Sequence, residues 1–238
     1  MPLTYTQYVN TIANLMVVPA SDAGFNTMLP NMIAFADNRC YRDLDLLNTV
    51  VRDASATLTS GTRTFNLPST IGTFYVVEDM NVITPVGAAS PDAGTRNALV
   101  RSSKEMLDFL WNSSVGSAVP VYFAPVSQST FIVGPWPNAA YPIEVVGTIR
   151  PPQLSSSVAT TLLTVYFEDL YVAASMEFAA GYMKNYGAAV DDPQQGVTWG
   201  MQYTKLLSGA GIEESRKKAT QAGWSDKVPA PQATPPRT

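Results

Sequence analysis

Residues 39–59 read RCYRDLDLLNTVVRDASATLT, and within them the periodicity of the chain changes. Up to Leu47 the apolar residues recur every three or four positions. Ile33, Ala36, Cys40, Leu44 and Leu47 form one face of a helix spanning about 28–49. The other side carries Asn38, Arg39, Arg42 and Asp45, and Phe35 lies off the main face. From about residue 51 to 152, β-branched and aromatic residues alternate with polar ones between Gly, Pro, Asn and Ser turns, which is the pattern of strands.

Working back toward the N-terminus, Tyr5, Tyr8, Val9, Ile12, Leu15 and Met16 predict a short amphipathic helix over 4–18, ended by Pro19. Pro30 suits the first turn of the second helix, where its missing N–H costs nothing.

Working forward, Thr57–Thr59 and Thr64–Leu67 flank Ser60-Gly61 and predict a hairpin. Strands follow at Phe74–Val77, Asn81–Thr84, Val121–Ala124, Thr130–Val133 and Ile143–Ile149, with an exposed loop over 86–97. A helix over 103–110 interrupts them, and Ser102 with Glu105 predicts its capping box. After a Pro/Ser/Thr-rich linker at 151–163, helices return. Leu170–Tyr186 is apolar on nearly every side, as a buried helix is, and Gly187 suits its end. Asp192-Pro193 opens a last helix with the stripe Trp199, Tyr203, Leu206 and Ala210.

The fold class expected is α+β. The segments 1–50 and 160–224 make one helical bundle, and 51–159 form an inserted small antiparallel β sandwich or barrel. Residues 225–238, SDKVPAPQATPPRT, hold four prolines in fourteen residues and are expected to form an extended arm.

Composition excludes several function classes. The chain contains no histidine, which removes Ser–His–Asp and Cys–His catalysis and the common zinc sites. Cys40 is the single cysteine, so no intrachain disulfide forms, and its place on an apolar face predicts a buried hydrophobe. No nucleotide-binding glycine motif is present. No cofactor and no metal are expected. The net charge of −4 lacks the basic footprint of a nucleic-acid binder. MPLTYTQYVN has no signal-peptide character, and no apolar run is long enough to span a bilayer.

Carboxylate pairs at Asp43/Asp45, Glu168/Asp169, Asp191/Asp192 and Glu213/Glu214 leave a glycan hydrolase open in principle. Each also has a simple structural role. Glu168/Asp169 and Asp191/Asp192 stabilise helix N-termini, and Glu213/Glu214 pair with Arg216, Lys217 and Lys218. Charged residues are only 14% of the chain, and charge depletion marks covered surface. Arg39, Tyr41, Arg42, Asp43 and Asp45 form the densest polar–aromatic segment, read either as a solvated helix face or as a subunit interface. The interface expectation extends to Arg216, Lys217 and Lys218, and to the arm through Trp224, Pro229, Pro231, Pro235 and Pro236. Trp111, Trp136 and Trp199 are expected in packing roles.

Leu29-Pro30-Asn31-Met32-Ile33 followed by Arg39–Leu47 resembles the opening of podovirus head-to-tail adaptor proteins. Asn81-Val82-Ile83-Thr84-Pro85, Tyr122-Phe123-Ala124, Val146–Pro151, Phe178–Tyr182, Asn185-Tyr186-Gly187, Asp191-Asp192-Pro193 and Glu213–Lys218 continue the resemblance in order. It covers about residues 5–220 and implies a non-catalytic virion protein. That protein would form a ring of about twelve subunits between the portal protein and the tail nozzle or tube. Double-stranded DNA would pass through its lumen without sequence-specific binding, and synthesis would take place in the host cytoplasm. Another tail component, a nozzle or tube subunit, is the alternative.

Overall fold

A computed structural model of the chain describes residues 2–87, 90–182 and 194–219. The first helix, α1 (Tyr5–Leu15), opens on a capping box in which the Thr4 and Gln7 side chains each accept from the other residue's backbone N–H. It stops before Pro19, because Val17 takes a left-handed φ of 56°. The second, α2 (Ala23–Asp43), starts seven residues before Pro30, so that proline lies inside the helix and not in its first turn. The start is fixed by Asp22, whose carboxylate accepts from the Phe25 N–H at 2.7 Å. An exposed interior proline is tolerated because Leu29, Met32 and Ile33 beside it are buried. The helix ends at Asp43, earlier than its apolar spacing predicts, and Leu44 is already extended. Leu47–Thr49 form one 3₁₀ turn.

The β region contains β1 (Val50–Thr57), β2 (Thr64–Asn66), β3 (Thr73–Thr84), β4 (Thr95–Ala98), β5 (Val100–Arg101), β6 (Tyr122–Pro125), β7 (Thr130–Gly134) and β8 (Pro142–Arg150). They form two four-stranded sheets, ordered β1-β8-β3-β4 and β2-β7-β6-β5. Phe74, Val82, Ile143 and Val145 of the first sheet share one core with Phe65, Phe123 and Phe131 of the second. The arrangement is therefore a sandwich. All pairings are antiparallel except β5 with β6.

Four expectations need correction here. The Ser60-Gly61 turn does not make a hairpin. Gly61 has φ 71° and turns the chain, but β1 pairs with β8 and β2 with β7, so the turn carries the chain between sheets. Phe74–Val77 and Asn81–Thr84 belong to one continuous strand. Register shifts between Phe74/Val76 and Val77/Asp79 mimic a break in its pattern. Gly147 permits this close approach, since a Cβ there would sit 2.2 Å from the Val76 carbonyl oxygen. The expected loop over 86–97 contains β4, which pairs with β3. Finally, α3 (Lys104–Leu110) is capped by Ser103, which accepts from the Met106 N–H at 3.2 Å, and not by the Ser102–Glu105 box. Ser102 lies against the Met106 sulfur instead. Leu107 of α3 packs with Ala124 and Ile132 against the second sheet.

The chain then returns to helix. The short α4 (Leu162–Tyr166) replaces the end of the expected linker. The long α5 (Glu168–Tyr182) buries Leu170, Tyr171, Ala173, Ala174, Met176 and Ala179, and α6 (Gln195–Ala219) follows. A second core joins Tyr8 and Ile12 of α1, Phe25 to Cys40 of α2, Leu163 of α4, the α5 face, and Tyr203 and Ala210 of α6. Residues before and after the sandwich thus share one apolar core, and the fold is α+β. Gly187 and Asp192-Pro193 lie outside the described residues.

Candidate assembly surface

Arg39 projects from α2 into the angle between α5 and α6. Its guanidinium pairs with Glu177 of α5, approaches Asp43 at 3.8 Å, and lies 4.0 Å from the centre of the Tyr203 ring of α6. The Tyr203 hydroxyl donates to Asp43 at 2.8 Å. Phe35, off the main stripe of α2, stacks on Phe178 of α5 with centroids 5.1 Å apart. About two turns of α2, from Phe35 to Asp43, therefore tie down both later helices. Glu177 was not singled out in the sequence, because nothing local marks its partner.

The basic end of α6 folds back on the segment after α2. Lys217 pairs with Glu214 at 2.7 Å and Glu213 at 2.9 Å, and lies over the rings of Tyr166 and Phe167. The Glu214 hydrogen bond holds the Lys217 ammonium above the ordinary lysine pKa. Glu214 also accepts from the Leu47 N–H at 3.0 Å, and Lys218 pairs with Asp45. Asp45, Lys217 and Lys218 are thus engaged within the subunit, as Arg39 and Asp43 are. Arg42 and Arg216 are exposed and have no ion pair among the described residues. Tyr41 is half-buried against the helical core. Trp224, Pro229, Pro231, Pro235 and Pro236 lie outside the described residues.

The structure adds two charged sites that sequence reading missed. Asp37 is 4% exposed in the helical core, where burial pushes its pKa up to about 7. Its Oδ1 and the Tyr171 hydroxyl lack a hydrogen-bond partner among the described residues. Nearby, Tyr8 donates to Ser175 at 2.9 Å and Ser175 donates to the Tyr171 carbonyl at 2.8 Å. The spacing of Asp37 from Ile33, Cys40 and Leu44 places it on the apolar face, and that was the available signal. Cys40 is fully buried there, and burial pushes its thiol up to about 12, which fits the expected inert hydrophobe.

The second site is Glu144 on β8, whose side chain is 1% exposed. Arg96 of β4 makes hydrogen bonds to both its oxygens at 3.1 and 3.2 Å, Asn81 of β3 donates at 3.1 Å, and Arg52 of β1 stands 3.6 Å away. Burial works to raise the Glu144 pKa, but these donors outweigh it and hold it below the usual range. The cluster crosslinks all four strands of the sheet.

Trp111 and Trp136 pack as expected, with the Trp136 indole and Arg63 both donating to the Trp111 carbonyl at 3.0 Å. Trp199 packs on the helical core. Two surface depressions, of about 580 and 290 Å³, run along the seam between the two cores, and a third of about 360 Å³ lies between α2 and α5 around Arg39 and Glu177. Among the described residues no group of three or more His, Cys, Asp or Glu could hold a metal ion, and no helix is long and apolar enough to cross a membrane.

Among the described residues, the charged side chains mainly join helix to helix and strand to strand around two apolar cores. Residues 3–230 match the family model of the SU10 adaptor protein, and the chain belongs to that family. No curated protein matches the chain.

Proposed function

We propose that the protein is the head-to-tail adaptor of a short-tailed phage virion, a non-enzymatic ring joining the portal to the tail nozzle or tube. The family match over residues 3–230 carries this reading. The helical core, as one unit, closes the ring. The sandwich, as a second unit, receives the tail component. The acidic, charge-poor chain suits a lumen that passes duplex DNA without gripping its phosphates. Heterologous ring contacts need two different patches per subunit. Arg42 near the end of α2 and Arg216 near the end of α6, both exposed, are the side chains assigned to one of them. The weight of helix over strand in the described residues disfavours a tail-tube subunit.

The arm 225–238, with Trp224 at its root, is assigned to portal contact. Co-sedimentation of the protein with its phage's portal tests this. Deleting residues 225–238 should weaken portal binding without unfolding the subunit, as circular dichroism would show. Undiminished binding by the truncated chain would remove the arm from the account.

A further inference from the structure

The 290 Å³ depression lies where the helical core meets the open face of the first sheet. Tyr41, Arg42 and Asp45 line one wall, and Tyr75, Val76 and Arg150 the other. Tyr75 is 59% exposed and Val76 45%, side by side on a strand, and both belong to residue types normally covered. The Arg150 guanidinium lies 5.0 Å from the centre of the Tyr75 ring and is held there by a 2.8 Å hydrogen bond to Asn38. The aromatic surface is therefore fixed in place. Beyond Tyr75 and Arg150 the surface continues into the 580 Å³ depression, which the same two residues also line.

The end of α6 stops at this site. Lys218 pairs with Asp45, a residue of the depression's wall, and Glu214 accepts from Leu47 just beyond it. The chain that follows Ala219 runs on for residues 220–238 and holds Pro229, Pro231, Pro235 and Pro236. Fourteen residues of proline-rich chain extend to about 43 Å, at roughly 3.1 Å per residue. Proline-rich segments bind aromatic-lined grooves at low entropic cost because they are already extended. Tethering within a few residues of the groove raises the local concentration further.

We propose that residues 225–238 dock in this seam groove of their own subunit, with the prolines against Tyr75, Val76 and Tyr41. The inference goes beyond the adaptor reading and does not need it. If that reading holds, a portal recruits the arm by competing with the groove.

The test uses the full chain carrying Ala233→Cys with a nitroxide label, because Cys40 is fully buried and takes no label. Docking predicts loss of most of the amide NMR signal of residues 73–76 and 148–150, and recovery of that signal in the Tyr75→Ser variant of the labelled chain. Full-intensity signals at these positions overturn the proposal. So does broadening seen equally when labelled chains are mixed with isotope-enriched, unlabelled ones, since the occupant is then the arm of a second copy. Portal binding is read separately, so failure of docking leaves the adaptor reading standing.

Discussion

The Tyr203 hydroxyl donates a 2.8 Å hydrogen bond to the Asp43 carboxylate across 160 positions of sequence. The whole sandwich lies between them. Asp43 is the last residue of α2 and Tyr203 sits in α6, so the contact closes the helical core around the two ends of the insertion. Arg39 completes the junction from above the tyrosine ring.

Arg39→Ala removes a cation–π contact of about 0.5–1 kcal/mol and a partly exposed ion pair of about 0.2–1 kcal/mol. The expected loss is roughly 1–2 kcal/mol in urea denaturation followed by circular dichroism. Arg39→Lys keeps the charge but not the planar stack, and should fall between. A variant as stable as the native chain would show that α6 is held by its apolar stripe alone.

Asp37 makes stability depend on pH. Its pKa of about 7 in the folded chain exceeds the unfolded value, so the folded chain holds the proton better. Stability from this group is therefore greatest at low pH, falls as pH rises from about 4 to about 7, and is flat above. Tyr8, Cys40, Tyr41 and Tyr171 around it are all raised and stay neutral throughout. Asp37→Asn removes the dependence. Its stability relative to the native chain should rise from pH 5 to pH 8 by on the order of 2 kcal/mol. Parallel thermal-melting profiles for the two proteins would refute a buried, proton-holding Asp37.

Glu144 discriminates between its two arginines. Losing Arg96, which bonds both oxygens of a buried carboxylate, should cost about 2–3 kcal/mol. Arg52 is 60% exposed and 3.6 Å away, so Arg52→Ala should cost under about 1 kcal/mol. Equal losses would mean that the sheet, and not the Arg96 geometry, keeps Glu144 charged.

Much of this fold was readable because periodicity is a local property. The switch from helical spacing to alternation near residue 51, the Trp199–Ala210 stripe and the all-round apolar α5 follow from which residues sit one turn or two positions apart. What was not readable depends on partners far along the chain. Ser60-Gly61 shows a turn, but only packing of the sandwich decides which sheet receives the next strand. The Val76–Asp79 stretch looks like a break because its bulges shift the alternation, and Gly147, which makes room for them, is remote in sequence. The Arg39–Asp45 segment was marked as dense in charge and aromatic side chains. That density does not separate Arg39, engaged inside the subunit, from Arg42, which is exposed.

That separation gives a paired test of assembly. Arg42→Glu reverses an exposed charge with no ion pair among the described residues, so it should shift subunit stability by no more than about 0.5 kcal/mol while impairing assembly. Lys217→Ala should instead lower stability by about 1 kcal/mol, since it strips a partner from buried Glu214. Differential scanning calorimetry with analytical ultracentrifugation reads both. Unimpaired assembly of Arg42→Glu would move the subunit contact away from the end of α2.

The most direct measurement is electron microscopy of the purified protein with and without the portal of its phage. The account predicts closed rings seated coaxially on the portal, with cyclic heterologous contacts and about a dozen subunits, the number that the resemblance to podovirus adaptors implies. A protein that stays monomeric in the presence of the portal, or binds it without closing a ring, would contradict it.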